Sequence, residues 1–135
     1  FHDTGLAAWL IGIRSEEQLS VHPLRGNLFE NMVINDFQKY YFNRAERADL
    51  FFYRDKGQHE ADLLQMNADG RIHAYEIKSS MTYRNDFFDG LHYIQNLLKD
   101  NFISGSLLYD GVQESIQQYD SYCNYRNFPK LLRRS

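Results

Sequence analysis

GQHEADLLQMNADGRIHAYEIKSS, residues 57–80, holds two short apolar runs on either side of Asn67-Ala68-Asp69-Gly70, with Glu60, Asp62 and Glu76 set inside them. The NADG segment is turn chemistry, because Asn, Asp and Gly tolerate the backbone conformations a tight reversal needs. EADLLQM before it and RIHAYEIKSS after it therefore read as two strands of a hairpin. DLFFYR at 49–54, short and aromatic, reads as a strand before them, joined through DKGQ with its turn around Gly57. The expectation is a three-strand antiparallel meander with acidic residues placed where a strand should not favour them.

Helical periodicity flanks the meander. Leu28, Phe29, Met32, Val33, Phe37, Tyr40 and Tyr41 recur at intervals of three and four, which predicts an amphipathic helix over 28–41 with Glu30 near its start. Residues 86–99 return to that spacing through Phe87, Leu91, Ile94, Leu97 and Leu98, and SGSLLYDG at 104–111 reads as a buried strand. GLAAWLIGI at 5–13 suggests a short apolar helix, and SEEQLSVHPLRGN after it a polar connection broken by Pro23. The order helix, three strands, helix, strand defines an α/β fold with a central mixed sheet flanked by helices.

Composition narrows the function classes. The 135 residues suit one core, and 43% apolar with 16% aromatic residues describe a globular chain. Fifteen Lys and Arg against eighteen Asp and Glu give a net charge of −3, so the chain lacks the global attraction of a dedicated nucleic-acid binder. The single Cys123 excludes an intramolecular disulfide and Cys-based zinc sites of the usual ligand count, and points to a reducing, cytoplasmic setting. No apolar run reaches membrane-spanning length, and FHDTGLAAWLIGI lacks the features of a signal peptide. Without an initiator Met, the chain reads as a piece of a longer one.

The chemistry concentrates in the meander. Strand alternation puts Glu60 and Asp62 on one face, and Glu76 and Lys78 on one face of the next strand. If the Gly70 turn pairs these strands, Asp62 and Glu76 converge as hard oxygen ligands for Mg²⁺ or Mn²⁺. Lys78 is then close enough to neutralise charge on a phosphate or to orient a water. A cation would also resolve the repulsion between partly buried carboxylates.

The same residues have plainer readings. Glu60, Asp62, Glu76 and Lys78 can be solvated charges, and Glu30 a first-turn carboxylate favoured by the helix dipole. His59 and His73 have no zinc spacing and are expected at the surface. Ser79 and Ser80 suit a strand end, and Tyr83 and Arg84 either a phosphate contact or plain exposure. The aromatics suit core and interface roles, and the terminal KLLRR a solvated end.

Asp62, thirteen intervening residues, then Glu76-Ile77-Lys78 resembles the motif of the PD-(D/E)xK restriction-endonuclease-like superfamily. Its common core is a helix, three strands, a helix and a strand, and an acid on its first helix often joins the site, as Glu30 in GNLFENMVINDF would here. More closely, FHDTGLAAWL, GNLFENMV, FFYRDKGQHEADLL and YEIKSSMTYRNDFFDGLHYI together resemble the domain of unknown function at the C-terminus of many prokaryotic AAA-type ATPases. The resemblance implies that residues 1–25 are a remnant of the link to an upstream ATPase module and residues 26–135 a nuclease-like domain. ATP would enter only through that module, since the chain has no GxxxxGK[ST] phosphate loop.

The resemblance further implies a cytoplasmic, metal-dependent phosphodiester hydrolase acting on DNA. Asp62, Glu76 and Glu30 would be metal ligands, with Lys78 completing the catalytic set. The QxxxY signature of some exonuclease branches is not evident in DFFDGLHYIQNLLK. The alternatives are a non-catalytic module of the same fold, binding DNA or a partner, and a homo-oligomerising regulatory domain using its aromatic surface.

Overall fold

The structure, a computed structural model, describes residues 2–132, so Arg133 and Arg134 of KLLRR lie outside the described residues. The chain divides into two compact units at Glu46 and Arg47.

The first unit is helical. Helix α1 spans Thr4–Leu10, and Asp3 caps it by accepting the Leu6 N–H at 2.8 Å. It stops short of the expected residue 13 because Gly12 takes a positive φ of 90°, which a continuing helix does not allow. Helix α2, Glu16–Val21, occupies the segment expected to be a plain connection. Its signal is the run Ser15-Glu16-Glu17-Gln18, in which the Ser15 side chain accepts the Gln18 N–H at 3.2 Å. Gln18 Oε1 reaches back to accept the Arg14 N–H at 2.6 Å, a variant of the capping box. Helix α3, Arg25–Phe42, covers the expected 28–41 and buries Val33 and Phe37, one turn apart. Asn31 Nδ2 of α3 donates to Thr4 Oγ1 of α1 at 3.0 Å.

The second unit is a five-strand sheet in the order β1-β2-β3-β4-β5. Strands β1 (Asp49–Arg54), β2 (Glu60–Met66) and β3 (Ile72–Lys78) form the expected antiparallel meander, with Gly70 at φ 80° in the second turn. A 3-10 turn at Asn85–Phe88 leads into α4, Asp89–Leu98, which returns the chain to β4, Phe102–Tyr109, parallel to β3. The sheet is therefore mixed. Strand β5, Ser121–Asn124, was not foreseen; it lies parallel to β4, and Ser115 of the preceding connection bridges its Tyr122. A short α5, Pro129–Leu132, follows.

Helix α4 packs on one face of the sheet. Its Leu91 and Ile94, with Phe88 before it, form one cluster with Ala61, Leu64, Ala74, Phe102, Leu107 and Tyr109. Small residues permit this approach: a Cβ at Gly105 would lie 3.3 Å from Leu91. The burial of this apolar stripe, rather than intrinsic propensity, holds so short a helix in place.

Candidate functional site

In the β2–β3 ladder Leu63 faces Tyr75, Leu64 faces Ala74, Gln65 faces His73 and Met66 faces Ile72. One more step in this register sets Asp62 against Glu76. There the ladder gives way, and Asp62 Oδ2 accepts the Ile77 N–H at 2.8 Å, satisfying with a side chain a donor that the ladder leaves open. The cause lies on the other edge of β2. Phe51 faces Leu64 and Tyr53 faces Ala61, so two steps along β1 match three along β2, a bulge at Asp62–Leu63. Ala61 and Leu64 both join the core cluster, which strict alternation would forbid. Glu60, Ala61 and Asp62 still alternate between exposed and buried positions, and the break in alternation falls between Asp62 and Leu64. Glu60 is exposed and its Oε1 pairs with Arg54 Nε at 3.0 Å.

Lys78 joins the two carboxylates. Its Nζ lies 4.0 Å from Asp62 Oδ2 and contacts Glu76 Oε1. The Asp62 and Glu76 side chains are 12% and 11% exposed, that of Lys78 37%, so the acids sit at the base of the site and the ammonium at its mouth. The parallel register places Glu76 beside Leu107 and Lys78 beside Tyr109, and both neighbours belong to the cluster under α4. The first turn of α4 seats against the site: a Cβ on Gly90 would stand 2.6 Å from the Glu60 carbonyl oxygen and 3.6 Å from Glu76 Oε2. A helix N-terminus beside a carboxylate favours its charge.

Burial pushes the Asp62 carboxyl above the usual carboxylate range and the Glu60 charge adds to this, against the Ile77 N–H and the Lys78 ammonium, which stabilise the anion. With both acids ionised, the trio carries a net charge of −1. The donors are hard oxygens, the type that Mg²⁺ and Mn²⁺ prefer, and Mg²⁺ commonly takes one or two protein carboxylates with water and phosphate filling its octahedron. Among the described residues no group of three or more His, Cys, Asp or Glu is placed to hold a metal ion. The residues therefore fit a two-carboxylate, water-rich cation site and do not fit a closed protein cage.

The expected site residues divide accordingly. Asp62, Glu76 and Lys78 come together. Glu30 stands half-buried on α3 in the helical unit. His73, expected at the surface, is 5% exposed, because the strand turns it toward Ser104 of β4. Ser80 closes a small turn at the end of β3, its Oγ donating to the Thr82 carbonyl at 2.9 Å. Arg84 is exposed and pairs with Asp86.

Sequence reasoning missed a cluster beside the site. Asp55, in the β1–β2 turn, accepts the His59 N–H at 3.0 Å and the Tyr93 hydroxyl of α4 at 2.8 Å, while the His59 ring stacks on Tyr93 at 3.8 Å and 3°. An Asp opening a glycine turn was the legible signal. The Tyr93 hydroxyl, then the His59 N–H, hold the Asp55 carboxyl down to about 2. A carboxylate with a lowered folded-state pKa contributes stability above its unfolded value, and that contribution disappears as pH falls through the folded one. Tyr93→Phe is therefore expected to lower the melting temperature at neutral pH, with the gap to wild type closing between about pH 4 and pH 2. Thermal melts across that range check it; a gap that stays constant would assign Tyr93 a packing role instead.

The fold and site together define a mixed α/β domain carrying a carboxylate pair and a lysine at a sheet bulge. The chain belongs to the family DUF4143, a domain of unknown function known as a C-terminal domain of AAA ATPases, whose model matches residues 25–128. No curated protein and no solved structure matches the chain. Among the described residues no helix is long and apolar enough to cross a membrane.

Proposed function

We propose that this domain is a metal-dependent phosphodiester hydrolase with a restriction-endonuclease-like core, acting on DNA as the effector end of a cytoplasmic AAA-type ATPase. The observation that carries the reading is the meeting of Asp62, Glu76 and Lys78 at the bulge, in the spacing of the PD-(D/E)xK motif. The order of elements supports it: a helix, an antiparallel meander, a helix and a strand parallel to β3.

Asp62 and Glu76 would hold Mg²⁺ or Mn²⁺. A bound cation of this kind polarises a phosphoryl oxygen and lowers the pKa of its water. The protein's own groups supply the rest. Lys78, at the mouth of the site, holds the attacking water or offsets charge growing on the phosphate. The bulge keeps the Asp62 carboxylate turned inward through the Ile77 N–H, so the acid is positioned before any ligand arrives.

A second reading, a non-catalytic module for DNA or partner binding or for regulating the ATPase, draws on the contact between Lys78 and Glu76, which offsets one of the two acidic charges without any cation. Calorimetric titration of Mn²⁺ and Mg²⁺ into wild type, Asp62→Ala and Glu76→Ala, with cleavage of single- and double-stranded DNA on the same samples, separates the two. One cation site lost in both variants, with cleavage reduced at least ~10²-fold, is the expected result. A folded wild type that binds no cation would transfer the domain to the second reading.

A further inference from the structure

We infer that the sheet carries a second site, away from the carboxylates, that takes an uncharged nucleobase. The cavity is about 290 Å³, floored by His73, Ser104, Ser106 and Ser121 on three neighbouring strands, with Gln117 and Gln118 at its rim. His73 stands beside Ser104 and Ser106 beside Ser121 in the parallel registers, so four polar side chains replace the apolar residues a buried sheet face normally carries.

Ser106 is only 2% exposed and lines the cavity. Hydroxyls on the floor of a cavity offer both donors and acceptors to whatever enters.

The hydrogen-bond directions decide what that is. Asn67 Nδ2 lies 3.4 Å from His73 Nε2, and His73 Nδ1 lies 2.7 Å from Ser104 Oγ. An amide N–H can only donate, so Nε2 accepts and the ring proton sits on Nδ1, where it is donated to Ser104. In that tautomer His73 donates to Ser104 rather than accepting from it. Ser104 instead keeps its own O–H to donate into the cavity. Burial, the largest cause, holds the His73 pKa below its ordinary value, which keeps the ring neutral. Ser121 Oγ accepts the Gln117 N–H at 2.9 Å and donates to the Gln117 carbonyl, which fixes the loop bearing the two carboxamides.

Among the described residues no Lys, Arg, Asp or Glu lines the cavity, so the described lining holds no charge to balance a phosphate or carboxylate. Hydroxyls and carboxamides supply donors and acceptors together, the complement of a base edge, while Ile103 and Leu131 offer an apolar wall for a flat ring. The volume lies at the lower limit of small-ligand pockets, ~300 Å³, which suits a base or nucleoside rather than a large cofactor.

Titration of the 135-residue chain with adenosine, guanosine, cytidine and uridine, followed by amide correlation NMR, tests this. Saturable shifts at Ser104, Ser106, Gln117 and Gln118 with at least one nucleoside are expected. The double variant Gln117→Ala, Gln118→Ala changes two exposed side chains, and should weaken binding at least ~10-fold with the melting temperature unchanged. The 5′-monophosphate should bind no tighter than its nucleoside. A short single-stranded oligonucleotide that binds more tightly than the nucleoside would identify the ligand as a base of a strand, and equal binding a free nucleoside. No saturable shift with any nucleoside, unchanged affinity in the double variant, or a ~10-fold gain from the phosphate would each overturn the inference.

Discussion

Asp62→Asn is expected to melt at a higher temperature than wild type in chelator at neutral pH, and at the same time to lose cation binding and cleavage. Burial and the neighbouring Glu60 charge oppose the ionised form of Asp62, so its folded-state pKa lies above the ordinary value. The folded protein then binds more protons than the unfolded chain between the two pKa values, and stability falls as pH rises through that window. At neutral pH the ionised carboxylate carries the full cost. Asparagine removes the charge but retains an oxygen that can accept the Ile77 N–H. The lost attraction to Lys78 is small, because it spans 4.0 Å to an ammonium 37% exposed.

The gain should be ~0.5–2 kcal/mol, of the size seen when a site under functional tension is relieved. It corresponds to a rise of roughly 2–8 °C in a domain of this size. Below about pH 3 the carboxyl is protonated in both states, and the gap should close. Calorimetric melts at neutral and acid pH, beside Mn²⁺ titrations, measure both halves. A lower melting temperature at neutral pH would make Asp62 a structural partner of Lys78 and count against the hydrolase reading.

The meander was legible because its information is local. Asn67, Asp69 and Gly70 specify their turn whatever lies elsewhere in the chain, and the acids of EADLLQM and YEIKSS stand out against their apolar neighbours. Helices α3 and α4 were legible through their periodicity. Strand β5 was not, because SYCN is four residues whose only structural reason is pairing with β4, a contact no local pattern encodes. The bulge at Asp62–Leu63 was equally hidden: it is a mismatch between two strands, and neither strand's sequence contains it alone. Its consequence reaches the site, since Asp62 is one of the two bulged residues. His73 failed for a related reason. A histidine in a strand looks like a surface residue until the partner strand is known, and here that partner supplies Ser104.

Gly90→Ala should destabilise the protein, although the same change in an unconstrained helix stabilises. Alanine exceeds glycine in helix propensity by about 1 kcal/mol, and Gly90 lies within α4. The added Cβ, however, would stand 2.6 Å from the Glu60 carbonyl oxygen, a backbone atom held by the pairing of Glu60 with Arg54. No flexible side chain can give way, so α4 must lift from β2. Lifting opens the contacts of Leu91 and Ile94 with the sheet, and overpacking of this kind costs about 1–3 kcal/mol, which reverses the sign of the propensity term. A fall of roughly 4–10 °C in melting temperature is expected. The same displacement draws the first turn of α4 away from Glu76, whose Oε2 would lie 3.6 Å from the new Cβ. Cation affinity should therefore drop along with stability, whereas an exposed control such as Asn85→Ala should leave affinity unchanged. A Gly90→Ala protein that melts higher than wild type, with its affinity for Mn²⁺ intact, would mean that α4 is not seated on the site, and that its N-terminus contributes nothing to the charge of Glu76.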